Sequence, residues 1–478
     1  MSLSRFTIRT LLAVGGFALL LSCVSAQQDL PSRPAAESSR IKALRGVRGG
    51  IPEDKLKTTR DDFQKLAEYF AAIVEHPVTW KASQDLKASI PGEGRMSLEG
   101  PNGVFHELDV YLQEATPGSA KVGQDQAAYI REFGAALDGT FRKLIEGNGE
   151  RIVRVNAARV YAHFARTGAP AHFPSLTAML ADPKIPPEVK YHLYHAAAAL
   201  LAASDVAEPK LRKHAADPPV VGALAQVLME HVTDASKLLP GFKPDKATED
   251  ELAVAGLLRR QAVRALGQVK FVRLPTPDGK GDIYPSYTLV RVALGDPALK
   301  PAPGPAEAAE AAIGILNMAP VEWKTNRFEP VREYNPAVAL EAVTEALLTF
   351  ATPRASDRAD RSLPWRNYSL RLAEALARWK PLFDPLLDAG QYAKFDPAQV
   401  AAVQAANFPA RFDGVYKDVV PKVLARIEKV DSAGMPSVDA VEIDVLRRHL
   451  KAMRDDPKRP TKLFDNVEKT SILFSKKE

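Results

Sequence analysis

His192 and His195 stand three residues apart within a helical stretch, and His163 or His172 could add a third imidazole, which makes these histidines the nearest approach to a metal-ligand set. No His-Glu-x-x-His accompanies them. Subtracting 36 from their numbers sets them on Asn156 and Arg159, members of a polar helical strip, so surface exposure is the simpler reading. Cys23 is the only cysteine and precedes the folded part, which excludes structural disulfides, thiolate nucleophiles, cysteine metal ligands and covalent haem attachment. There is no Gly-x-Ser-x-Gly elbow, no phosphate-binding Gly-x-x-x-x-Gly-Lys-Ser/Thr and no dinucleotide-binding glycine motif after a strand. The acidic pairs Asp61-Asp62 and Asp455-Asp456 are adjacent, where helix geometry points side chains apart, so they read as caps and solvated charge. Trp80, Trp323, Trp365 and Trp379 have the rings to stack on sugars, but Leu372 and Leu376 between the last two favour packing. The expectation is no catalytic residue, no metal ligand and no cofactor.

What remains is a polar strip. Asn156, Arg159, His163 and Arg166 are spaced by 3, 4 and 3 and so share one narrow helical face. A second segment aligns Gln261, Arg264 and Gln268 with the first three, giving amide, cation and polar rows. The rows read as a solvated ridge, with the gripping of an acidic or extended partner as the competing use.

Both strips belong to one helical phrase. Val153, Arg154, Ala157, Ala158, Val160, Tyr161, Ala162 and Phe164 match Leu258, Arg259, Ala262, Val263, Ala265, Leu266, Gly267 and Val269 at an offset of 105. A weaker copy at an offset of 36 runs from Val189 through Lys190, Leu193 and Tyr194 to Leu200. The two offsets together suggest a unit of 35 or 36 residues, and Asp-Pro at Asp182, Asp217 and Asp296 punctuates the helices. Helices are expected around Phe63–Val74, with Thr59 as a cap, Phe105–Leu112, Gln124–Ile145, Ala306–Leu316, Ala337–Phe350 and Trp365–Trp379, with insertions in Leu239–Asp250 or Leu274–Tyr284. Strand content should be minor.

Length 478, hydrophobic content 46% and charge 26% fit a folded protein of more than one compact core or an array that grows by addition. Met1–Ala26 has Arg5, Arg9, an apolar run from Leu11 to Leu21 and a small-residue site ending at Ala26, which reads as an export signal. Leu20-Leu21-Ser22-Cys23 resembles a lipobox, so lipidation at Cys23 competes with simple cleavage after Ala26. No later run approaches the roughly 20 apolar residues of a membrane span. The formal charge of +6 becomes +4 without the signal's two arginines, and interleaved charge argues against nucleic acid as partner. The division expected is signal 1–26, disordered leader or tether 27–50, N-terminal helical region 51–149, repeat array 150–382, C-terminal helices 383–456 and a frayed basic tail 457–478.

The Val-Arg, Ala-Ala, Ala-Leu-Gly phrase with Asp-Pro before helices resembles the HEAT family of repeats, best over Ile152–Leu201 and then Leu257–Val269, together about a seventh of the chain. The resemblance implies an all-α fold, an α-solenoid of HEAT-like helix pairs behind a helical N-terminal region. It also implies an inter-repeat ladder in which Arg154 and Arg259 bond to aspartates, with Asp182 and Asp217 as acceptors. Lys190 departs from the pattern, because an ammonium cannot make the forked contact of a guanidinium. Exported bacterial proteins of this kind have no assigned reaction. The expected function is an exported, non-enzymatic protein-binding or scaffolding module in the periplasm, on the cell surface or outside. The alternative is a helical polysaccharide-active enzyme with a carboxylate pair.

Overall fold

In a computed structural model, the residues described are 31–44, 55–77, 79, 98, 103–112, 124–203, 218–318, 321–324, 327–331, 333–355, 364–387, 408–428 and 440–473. The protein is all-α, with only two short β-hairpins among the described residues. Ala26, Cys23, Asp217 and Trp80 lie outside the described residues.

The first helices are α1 (Ala35–Leu44), α2 (Leu56–Glu75), α3 (Val104–Leu112) and α4 (Gln124–Gly147). Then come α5 (Arg151–Ala165), α6 (His172–Ala181), α7 (Pro187–Ala203), α8 (Pro218–Thr233) and α9 (Glu249–Leu266). A hairpin of β1 (Leu274–Pro275) and β2 (Asp282–Ile283) leads to α10 (Pro285–Ala293) and α11 (Pro305–Asn317). A second hairpin, β3 (Val321–Lys324) with β4 (Arg327–Pro330), precedes α12 (Pro336–Ala355) and α13 (Trp365–Leu387). Helix α14 (Phe408–Val419) passes through a π-turn at Val420–Leu424 into α15 (Ala425–Glu428), and α16 (Ala440–Arg454) follows.

Packing follows a simple alternation. Odd helices α5, α7, α9, α11 and α13 touch in that order, and even helices α4, α6, α8, α10 and α12 do the same. Each even helix also packs on the odd helix that follows it along the α4 to α11 stretch. Helix α2 lies on α4 at one end; α14 and α15 lie on α13, and α16 on α12, at the other. Two ranks with one apolar layer between them explain why Leu180, Leu193, Leu228, Leu266, Leu289, Ile315 and Leu340 are all buried. No single helix has the area to bury such faces alone.

The three copies of the phrase fall on α5, α7 and α9, consecutive members of the odd rank, but not at the expected period. Successive odd helices begin at Arg151, Pro187, Glu249, Pro305 and Trp365, so the steps are 36, 62, 56 and 60 residues. The offset of 105 therefore spans two units rather than three. Extra length sits between helices: 3₁₀ turns at Ala235–Lys237 and Pro244–Lys246 precede α9, and the β1–β2 hairpin precedes α10. The Pro244–Lys246 turn and the hairpin fall in Leu239–Asp250 and Leu274–Tyr284, the two alternative places for an insertion.

Three further expectations are corrected. Helix α1 lies inside the stretch read as a leader; Ile41 is buried against α2, and Arg40 donates to both carboxylate oxygens of Asp62 at 2.7 and 2.6 Å. Asp62 is thus an inter-helix partner, and α2 starts before Thr59, which is buried rather than a cap. The basic tail does not fray over 457–473. Leu463, Phe464 and Ile472 are buried, Phe464 bridges to Tyr334, and Tyr287 Oη donates to Ser471 O at 2.8 Å. Three apolar side chains within ten residues outweigh the surrounding lysines.

At one crossing two helices of the odd rank meet backbone to backbone. A Cβ built on Gly314 would lie 2.7 Å from Gly267 Cα and 2.7 Å from Leu289 Cδ1, so glycine at both positions sets how near the end of α9 comes to α11.

Candidate functional site

The odd rank carries the residues singled out as a ridge, and their settings differ. Asn156 and Gln261 are buried, not wet. A polar strip on a helix flanked by neighbours on both sides partly faces those neighbours, so spacing alone does not make it a solvated face. His163 and Arg166 turn away toward α3. His163 Nε2 lies 2.6 Å from Asp109 Oδ1, its ring stacks on Phe105 at 4.6 Å, and Arg166 bonds the same carboxylate. Burial, then the charge of Arg166, lower the His163 pKa against the pull of Asp109. Gln268 is half-buried just past the end of α9.

Arg159, Arg260 and Arg264 remain half-buried on the face, with Tyr191, His192 and His195 of α7 among them. Arg159 Nη1 reaches Asn156 Oδ1 at 3.4 Å. The Tyr191 ring is 5.1 Å from that of His192 and 4.9 Å from that of His195, and the two imidazoles are 6.4 Å apart. Burial pushes His192 down to about 4, helped by the charges of Arg159 and His195. Burial and Arg264 also lower His195, with Glu310 opposing them. Near neutral pH both rings are uncharged. Glu310 itself is buried on α11 and accepts from Nη1 and Nη2 of Arg371 on α13 at 2.8 and 2.7 Å. The guanidinium of Arg371 lies 5.6 Å from the Tyr368 ring.

The arginines of the expected ladder have other acceptors. Arg154 Nε donates to Ile145 O at 2.7 Å, holding α5 to the end of α4. Arg259 is buried and forks onto Glu307 of α11, Nε to Oε1 at 2.5 Å and Nη2 to Oε2 at 3.2 Å, with Nη1 on Pro301 O at 2.7 Å. Glu307 Oε2 also accepts from Gly304 N at 2.6 Å and so caps its own helix. Asp182 accepts from Lys184 N at 2.8 Å in the turn before α7. Lys190, at the arginine's place in the weaker copy, is buried with Nζ 3.4 Å from Lys237 O; burial lowers its pKa, with Asp182 opposing. The only sign of Glu307 and Glu310 in the sequence is two acids in a run of alanines.

A second polar cluster went unforeseen. Asp138 of α4 is buried and accepts from Tyr161 of α5, from Ser175 Oγ at 2.6 Å and from His172 Nδ1 at 3.2 Å, the last two on α6. A carboxylate only accepts, so Nδ1 carries the hydrogen in this contact. Aspartate, histidine and serine are together, yet both partners bond the carboxylate and the imidazole does not bond the hydroxyl. That arrangement clamps three helices and does not activate Ser175. Burial, and then Asp138, push the Tyr161 pKa well up, so the phenol keeps its proton.

The four histidines first considered together do not converge: His163 serves Asp109, His172 serves Asp138, and only His192 and His195 share a face. Among the described residues no group of three or more His, Cys, Asp or Glu is placed to hold a metal ion. Trp365 and Trp379 are buried, Trp365 against Phe350 at 4.8 Å and Trp379 against Phe408 at 5.6 Å, so both are packing residues. Among the described residues no helix is long and apolar enough to cross a membrane. Comparison of the chain with protein-family models, with curated proteins and with solved structures finds no match.

Proposed function

We propose that this protein is an exported, non-enzymatic α-solenoid of HEAT-like helix pairs that binds or scaffolds another protein. The observation that carries the reading is the alternation of two ranks, α4 to α12 even and α5 to α13 odd, each helix touching the next of its own rank. An array of that kind offers a long continuous surface, and breadth of contact is what such a surface supplies. The buried polar groups support the reading as well. Asp138, Glu307 and Glu310 each join helices through the partners described above, and Glu341 of α12 accepts from Arg454 of α16 at 3.3 Å and from Arg459 of the tail at 2.8 Å. On this reading the odd rank is the partner-facing side, because Arg159, Arg260 and Arg264 stay half-exposed there. Export, with either cleavage after Ala26 or lipidation at Cys23, places the array in the periplasm, on the cell surface or outside.

In-cell crosslinking of the full-length tagged protein, followed by mass spectrometry, tests binding. A reproducible protein neighbour whose crosslinks map to α5, α7 and α9 is expected. Recovery of no such neighbour, or crosslinks confined to α16 and the tail, counts against the proposal. Cell fractionation of the wild type and of Cys23→Ala tests the compartment; protein found in the cytoplasm would overturn export.

A further inference from the structure

We infer that Tyr284, Tyr287, Tyr334 and Asn335 form a second binding site, for an extended polypeptide segment carrying Leu-Phe-Asp, and that residues 461–473 of the same chain fill it as a lid hinged at Pro460. The site belongs to the even rank, so the inference goes beyond the odd-rank reading above, and either can fail alone.

The tail is held as a peptide ligand is held. Asn335 N donates to Leu463 O at 2.8 Å and Asp465 N to Glu333 O at 2.9 Å, on either side of a bridge between Tyr334 and Phe464. Among the described residues, bridges outside the two hairpins involve only this tail. Such strand addition draws affinity from the main chain and specificity from side-chain pockets. Here the rings of Tyr284 and Tyr334 both meet Phe464 in T-shaped contact, at 4.8 and 5.6 Å. Nδ2 of the buried Asn335 side chain donates to Lys462 O at 2.8 Å and to Asp465 Oδ1 at 2.7 Å. Tyr287 Oη holds the far end through Ser471 O.

The segment is also a unit in itself. Leu463 N donates to Thr470 O at 3.0 Å, Ile472 N to Thr461 O at 2.8 Å, and Phe464 N to Thr470 Oγ1 at 3.1 Å. Those bonds survive when the segment leaves, so opening breaks only the outward ones and proceeds in one piece. Its root is fixed, because Arg459 forks onto Glu341 of α12 at 2.8 and 2.7 Å. A pinned root, then Pro460, then a self-bonded loop is the build of a lid.

The probe is a fluorescein-labelled peptide of residues 461–473, read by anisotropy against the full-length protein after export. A tethered lid competes at an effective concentration on the order of millimolar, so the wild type should bind the probe weakly. Leu463→Ala/Phe464→Ala loosens the lid, leaves the site intact and should bind the probe at least about tenfold more tightly than the wild type. Adding Asn335→Ala should weaken that binding roughly tenfold. A probe with alanine at the same two positions should also bind the loosened variant roughly tenfold more weakly. Equal binding of the two probes, or no gain in the loosened variant, overturns the site and leaves the odd-rank reading standing. Thermal melting checks that the variants fold. Hydrogen exchange on the wild type needs no variant: the amides of Asn335 and Asp465 should exchange together, and faster than those within α12. Exchange as slow as that of α12 overturns the lid.

Discussion

A guanidinium taken out of water is tolerated only opposite a carboxylate with matched geometry, and Arg259 on Glu307 meets that condition in the middle of the odd rank. Arg259→Leu would leave Glu307 buried without its cation. That should lower unfolding free energy by about 3–5 kcal/mol in a urea titration. The double variant Arg259→Leu/Glu307→Leu should recover most of the loss, since apolar replacement of a whole buried pair is close to neutral. A double variant as unstable as the single one would show that the pair itself is not the cause. Asp138→Asn replaces an acceptor of three hydrogen bonds by a group with an amide donor facing other donors. A loss of about 1–3 kcal/mol is expected, and an unchanged urea midpoint would argue against the network. Arg259 was recognisable in the sequence because the phrase repeats around it. Glu307 was not, because the partner is chosen by which helices meet, 48 residues apart.

Helix ends and crossings can be tested in the same way. Gly314→Ala pushes a methyl into Gly267 and Leu289, so α9 and α11 must separate, at a cost of about 1–3 kcal/mol. Gly256→Ala on α9 meets nothing within 4 Å and should instead stabilise by up to about 1 kcal/mol, because it removes backbone freedom from the unfolded chain. Differential scanning calorimetry of the pair decides whether close approach or helix propensity governs these sites; two shifts of the same sign would defeat the argument. The positions of most helices were legible, since apolar residues at 3.6-residue spacing mark them locally. The start of α2 was not: Thr59 and Asp62 look like a cap, and only the docking of α1 shows that Asp62 faces Arg40 instead.

For the molecule as a whole, several histidines are packed in uncharged form. Burial pushes His231 down to about 3, with Lys190 and Lys237 adding to it, and Tyr194 Oη lies 2.8 Å from its Nδ1. An unfolded histidine binds its proton near 6.5, so the unfolded chain takes up protons that the folded chain refuses. Stability should therefore be full above about 6.5 and fall as pH drops from there toward about 3, with His192 acting in the same direction down to about 4. Urea midpoints at pH 7 and pH 5 measure this. His231→Asn should flatten the dependence, and an unchanged slope in that variant would place the acid sensitivity elsewhere. The tail gives a second test at this scale. Removal of 457–478 uncovers Tyr284 and Tyr334, which pack on Phe464 at 4.8 and 5.6 Å, and should lower the melting temperature by several degrees.

By itself the sequence determined the helical class, the position of most helices and the kinship of α5, α7 and α9. Those properties follow from side-chain spacing within one helix, which any short window contains. Only the tertiary structure decided the spacing of successive odd helices, about sixty residues after the first step, and which polar strip is a seam and which a surface. It also decided the acceptors of Arg154 and Arg259 and the docking of a lysine-rich tail. Each of these depends on which helix faces which across the layer. That choice is made by complementary shape and charge between distant segments, and local periodicity does not encode it.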